Sequence, residues 1–191
     1  MPTTYAHYKF GKEVLSALPR PLQNSIEAHR ELFDIGLHGP DILFYYNALK
    51  KDPVNEQGHT LHEQFADEFF HHAVEVIEKA KDPAAARAYI YGFICHFALD
   101  SECHPYVEKI MQVGRVSHNE IEMELDRMML TEDYHDPLRY LTAKHIQPKM
   151  EYAEVIAPFF KDVTAEQIYK ALKGMVFYHK LFLAPTSGKR K

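Results

Sequence analysis

The chain is predicted to fold as an all-α protein with a single domain. Three observations carry that expectation. Apolar residues recur with a helical period along nearly the whole chain, no stretch makes a convincing alternation at period two, and helix-start signals stand before several of the periodic runs. At 191 residues, 46% of them apolar, the chain is long enough to bury one sizeable core.

The elements follow in order. Pro19 and Pro21 precede SIEAHRELFDIGL, which reads as an amphipathic helix ending near Gly36, and Gly39-Pro40 then breaks the chain. DILFYYNALK is a short apolar helix and KDPVNEQG a polar loop. HTLHEQFADEFFHHAVEVIEKA reads as a long helix with Leu61, Phe65, Phe69, Val74 and Ile77 at its apolar positions. Asp82-Pro83 offers an N-cap with proline at the first helical position, opening a helix through Ala86, Tyr89, Phe93 and Phe97 towards Pro105. Ser117 with Glu120 fits a capping box for SHNEIEMELDRMM, and Thr164 with Gln167 does so for AEQIYKALKGMVFYHKLF. Between them, 131–146 has no clear pattern and 148–163 holds one more helix. The folded domain is expected over 1–184, with 185–191 a flexible tail carrying the basic cluster Lys189, Arg190 and Lys191.

A formal net charge of −5 gives no general attraction to nucleic acid, which calls for a basic patch or stripe. The start MPTTYAHYKFGKEV lacks the charged opening and apolar run of a secretory signal, and no segment approaches eighteen uninterrupted apolar residues, about what a membrane span needs. A soluble, cytoplasmic protein is expected. Cys95 and Cys103 would lie about 12 Å apart along one helix, too far to bridge, so both are expected to be reduced.

The chemistry concentrates in HFALDSECHPY, residues 96–106, where His96, Asp100 and His104 stand at steps of four in apolar surroundings. On a helix such neighbours share a face with Cβ atoms about 5 to 6 Å apart, so His96 with Asp100 can grip one cation and Asp100 with His104 another. All three cannot share one ion, because His96 and His104 are about 12 Å apart along the axis and a zinc–nitrogen bond is only about 2.0 to 2.1 Å. The economical reading is two or more metals with Asp100 between them. His118 and Glu122 repeat the spacing of four just after the capping serine, and the chain from His104 to His118 is long enough to turn back.

The ordered set His96, Asp100, His104, His118 and Glu122 resembles the zinc-dependent phospholipase C family, which includes bacterial lecithin-cleaving enzymes and the clostridial alpha-toxin. The interval of fourteen from His104 to His118 is similar to the family's spacing, and upstream matches are His7 in TTYAHYKFG, Asp41 in HGPDILFYY and His62 in GHTLHEQF. The resemblance touches residues 7 to 122. It implies the compact helical fold shared with related nucleases and two or three zinc ions. Asp41, His62, His96 and Asp100 would hold the first ion, and His104, His118 and Glu122 the second. The third would fall to His7 and Asp100 with the N-terminal groups. Three carboxylates against three divalent ions leave about +3 of formal charge, suited to a phosphate anion. The expected activity is hydrolysis of a phosphodiester or related soluble phosphoester, small or lipid-derived, by zinc-activated water attacking phosphorus, with Asp41 orienting that water or accepting its proton. Two departures stand out: no signal whose cleavage would free an N-terminal ligand is visible, and three residues separate Asp100 from His104 where the secreted enzymes have five.

Other readings remain. A lone histidine is more often structural or superficial than a ligand, and His29, His38, His71, His72, His135, His145 and His179 are read so. His59 competes with His62, which is favoured because it lies deeper in the helical pattern. Asp41 also serves as a helix start, and Cys103 and the run Phe44, Tyr45, Tyr46 read as structural. The His135-Asp136 pair sits beside Pro137, an unlikely helical site for a His-Asp phosphohydrolase. A ferritin-like di-iron protein would use Glu56 with His59 and Glu68 with His71. A helical metal-binding protein without turnover is the non-enzymatic alternative.

Overall fold

A helix of modest length cannot bury its apolar stripe alone, and here one long helix supplies the surface on which the others pack. A computed structural model describes residues 4–185 and Gly188. In chain order the α-helices are α1 (Thr4–Ala17), α2 (Arg20–Glu27), α3 (Arg30–Gly36), α4 (Pro53–Glu63), α5 (Ala66–Lys79), α6 (Pro83–Gly114), α7 (His118–Glu132), α8 (Met150–Ile156) and α9 (Ala165–Phe182). Two 3-10 segments, Gly39–Tyr45 and Ala157–Phe159, follow α3 and α8, and the described residues contain no strand. Met1 to Thr3, and with them the N-terminal groups considered above as ligands, lie outside the described residues, as does the basic cluster of the tail. No helix among the described residues is long and apolar enough to cross a membrane.

The predicted caps form. Asp82 accepts hydrogen bonds from the amides of Ala84 and Ala85, both at 3.1 Å, and opens α6. Ser117 with Glu120, and Thr164 with Gln167, make reciprocal capping boxes for α7 and α9. Four expectations are corrected. The run over 25–37 is two helices, because His29 takes a non-helical conformation (φ −132°, ψ 40°) that re-aims α3 onto α6. KDPVNEQG is not a loop: Asp52 caps α4 with Asn55 as its reciprocal partner, and Pro53 takes the first helical position. The long helix over 59–80 is broken at Gln64 and Phe65, both extended, and Phe65 is 91% exposed rather than on an apolar stripe. Finally, α6 runs through Pro105 to Gly114; proline forfeits one backbone bond, but its fixed φ is helical and Val107 beyond it is buried.

The larger core gathers Tyr89 and Phe93 of α6 with Leu32, Ile35, Ile42, Leu43, Ile156, Phe159, Ile168 and Leu172. A smaller one joins Leu15, Ile26, Phe33, Leu37 and Cys95. Between α3 and α6 the backbones meet through two glycines: a Cβ at Gly36 would collide with the Tyr89 carbonyl oxygen, and one at Gly92 with that of Phe33. Gly39 then turns the chain with φ +47°, and a Cβ there would collide with the His96 ring. That turn brings the first 3-10 segment, with Asp41 on it, against the middle of α6.

Candidate metal centre

The helix α6 presents His96, Asp100 and His104 one turn apart on one face. Asp100 Oδ2 lies 3.3 Å from His96 Nε2 and 3.8 Å from His104 Nε2. Its other oxygen, Oδ1, lies 3.1 Å from His7 Nε2 of α1, whose ring stacks on His96 with centroids 4.4 Å apart. From α4, His62 Nε2 reaches to 3.0 Å from Asp41 Oδ1 and 3.8 Å from Asp100 Oδ2. On α7, His118 Nε2 is 2.6 Å from Glu122 Oε1, and the His104 and His118 rings meet edge to face.

These contacts resolve into three groups, each with its candidate ligand atoms within 4.8 Å of one another: His7, His96 and Asp100; Asp41, His62 and His96; and His104, His118 and Glu122. All eight residues singled out in the sequence therefore converge. His96 stands in two of the groups, and Asp100 joins all three neighbourhoods through its two oxygens. His62 is brought in, whereas His59 is exposed and packs on Phe44. The alternatives separate from the cluster. Glu56, His59, Glu68 and His71 all face solvent. The His135 ring stacks on Tyr140, while Asp136 Oδ1 accepts from the amide of Leu138. Cys95 and Cys103 are free thiols.

The donor chemistry fits cations. Asp41 Oδ1, His62 Nε2, Asp100 Oδ2 and His104 Nε2 are buried and crowd together without well-formed hydrogen-bond geometry, His62 Nε2 and Asp41 Oδ1 meeting as an ion pair at 3.0 Å. Buried polar atoms left so are costly unless something else satisfies them. His62 Nδ1 donates to the Gly58 carbonyl oxygen at 2.7 Å, which leaves Nε2 facing the carboxylates, where it carries a proton in the metal-free protein and would offer its lone pair to an ion that displaced that proton. Burial drives His96 down to about 4, so it stays neutral at ordinary pH, the state a metal ligand requires. Burial alone would lower His62 too, but Asp41, with the Gly58 carbonyl and Asp100, raises it to about 9. Burial also opposes ionisation of Asp100, yet His7, His96 and His104 hold it well below the usual carboxylate range.

Several residues support the site from outside it, and among these the sequence reading named only the histidines, as structural or superficial. Asp126 of α7 accepts from the first-turn amides of α1, from Tyr5 at 3.1 Å and Ala6 at 2.9 Å, so the helix that carries Glu122 also seats His7. Its position four beyond Glu122 was the available signal. His38 and His145 are buried and joined Nε2 to Nε2 at 2.7 Å, and Tyr8 stacks on His145 at 3.9 Å. His179 is hydrogen-bonded to Thr4, Tyr45 and Thr142. These three histidines pin α1 and the first 3-10 segment, the carriers of His7 and Asp41, to the 142–145 turn and α9. No local pattern marks them.

The all-helical fold and a carboxylate set among three histidine-rich groups define a class, the helical proteins whose clustered donors could hold metal ions. A family model described as zinc-dependent phospholipase C matches residues 6–174. The chain belongs to the zinc-dependent phospholipase C family. No curated protein matches it significantly, and neither does any solved structure.

Proposed function

We propose that this protein is a zinc-dependent phosphoester hydrolase acting on a phosphodiester or related soluble phosphoester. The observation that carries the reading is Asp100, whose Oδ1 faces His7 while Oδ2 faces His62, His96 and His104. One carboxylate placed so could be shared between ions. Asp41, His62 and His96 with Asp100 would hold one zinc, His104, His118 and Glu122 a second, and His7 with Asp100 a third. Zinc there supplies Lewis-acid stabilisation of phosphoryl oxygens and lowers the pKa of a bound water. The chain's own part is to fix these donors with buried walls, since His7, Asp41, His96, Asp100 and Glu122 are all buried. Asp41, at the helix break beside His62, orients the attacking water or accepts its proton.

The test is elemental zinc per chain on untagged protein, together with turnover of bis(p-nitrophenyl) phosphate, for the parent and for Asp100→Ala and Asp41→Asn. Two or three zinc ions are expected in the parent, falling by at least one in Asp100→Ala. Turnover should drop about 100-fold or more in Asp41→Asn that still carries zinc. Full zinc content with no turnover of any phosphodiester would instead favour a metal-binding protein without catalysis. Iron in place of zinc after repletion would overturn the reading.

A further inference from the structure

Burial runs out along the chain beyond Pro105. From 108 to 121, which takes in the end of α6, the link to α7 and the start of α7, no residue is buried; Val107 and Glu122 are the buried residues that bracket this arm. Its large apolar side chains meet water instead, with Ile110 48% exposed, Val113 82% and, just past Glu122, Met123 64%. Beneath it a largely apolar cleft lies between α1, α6 and α7, lined by Phe10, Leu99, Leu125 and Met129, so the inner side of α7 faces a space there. At the tip Arg115 ends α6 in the left-handed region (φ 52°), which a residue with a Cβ enters at a cost.

The far end of α7 is secured by other means. Leu130 is buried, Asp126 accepts from the amides of Tyr5 and Ala6, and Asp133 just beyond the helix accepts from the Tyr5 hydroxyl at 2.6 Å and the Lys9 ammonium at 2.9 Å. Short helices that bury little are marginal in water, because ordering their backbone costs entropy that packing normally offsets. The group of His104, His118 and Glu122 spans the base of this arm, His104 on α6 and the other two in the first turns of α7. An ion held there joins α6 to α7 across the hairpin. The donors of the first group need no such help, since Asp41 and His96 are buried and His62 is held to Gly58 of its own helix.

Resting on the metal-centre reading above, we propose that the ion at His104, His118 and Glu122 orders the arm from 108 to 121. The site of Asp41, His62 and His96 is formed in the metal-free protein, whereas the second site is completed only when its ion docks the start of α7 onto α6. That ion is a fastener, and it sets in place the Leu125 side of the cleft that opens on Asp100.

The test is hydrogen–deuterium exchange of the full chain, freed of metal with a chelator and then titrated with zinc, read by mass spectrometry on peptides covering 85–100, 108–121 and 127–132. Without zinc, 108–121 should exchange at close to the unprotected rate while the other two are protected. Zinc should slow exchange in 108–121 about 100-fold when its free concentration is 100 times the Kd of the second site, the factor by which binding depletes the open state. His104→Ala, which leaves the arm's own sequence intact, and His118→Ala, which raises helix propensity within it, should both bind one zinc fewer and leave 108–121 unprotected. Continued protection of 85–100 verifies that each variant is folded. An arm equally protected without zinc, or protected by zinc in either variant, overturns the inference and leaves the phosphoester reading standing. A chain that binds no zinc overturns both.

Discussion

At Asp100 one side chain does what two would do in a simpler site. Its oxygens point to different partners because the helix spacing supplies His96 and His104 on one side while α1 delivers His7 on the other. The spacing of four was readable from the sequence, but which oxygen faces which histidine was not, since that depends on a helix 93 positions away in the chain. The His38–His145 pair shows the same limit. Both residues read as structural or surface histidines without deciding which, and they prove structural: 1% and 9% exposed, they link the Asp41 segment to the turn beneath it. In His145→Ala, His38 loses its Nε2 partner, at a cost of about 1 to 3 kcal/mol for a buried polar group. Zinc held by Asp41 and His62 should dissociate at lower chelator concentration, whereas zinc held by His104, His118 and Glu122 should be retained. His145→Gln, which restores a hydrogen-bonding group, should recover part of the difference. Equal weakening of every ion in a chelator titration would show a general loss of fold instead.

Among the elements, the decisive contact is that of α3 with α6. Gly36 and Gly92 let two backbones touch, and the turn at Gly39 then carries Asp41 to His96. Gly36→Ala would force a methyl group against the Tyr89 carbonyl and should destabilise the fold by about 1 to 3 kcal/mol, read from the denaturant midpoint. Gly114→Ala is the control: it lies at the exposed end of α6, where an added Cβ comes no closer than 3.3 Å to a side chain, and its midpoint should not fall. An equal loss in both variants would contradict the close-approach argument. Caps were the most legible feature at this scale, because Asp82, Ser117 and Thr164 act on amides two or three residues away. The breaks at His29 and at Gln64–Phe65 were hidden, because the apolar period continues across them while the packing changes direction.

Over the whole molecule, the buried histidines give stability a pH dependence with two limbs. Burial holds His96 and His179 at about 4 and His145 at about 3, and lowers His38 well below its ordinary 6.5. Below pH 6.5 the unfolded chain takes up protons that the native state refuses, so stability falls with pH, each such group contributing about 1.4 kcal/mol per pH unit. His62 works in the opposite sense. Raised to about 9, it stabilises the native state fully below 6.5, and that contribution is lost as pH rises through 9. The melting temperature of the metal-free protein should therefore peak near pH 6.5 to 7. Zinc should raise it and flatten the alkaline limb, because the ion takes the place of the His62 proton. A melting temperature unchanged between pH 5 and 6.5 in the metal-free protein would mean that these histidines are open to water.

By itself the sequence determined the helical class, three of the caps and the paired donors on α6 and α7, because a helix repeats on a fixed local geometry and a residue four positions on must share its face. Only the tertiary structure decided that His62 rather than His59 faces Asp41, that Gly39 carries Asp41 to His96, that Asp126 seats α1 and His7, and that a largely apolar cleft opens on the cluster. Those placements depend on contacts between elements far apart in the chain, set by the volume of the glycines and core side chains between them, and periodicity carries no information about either.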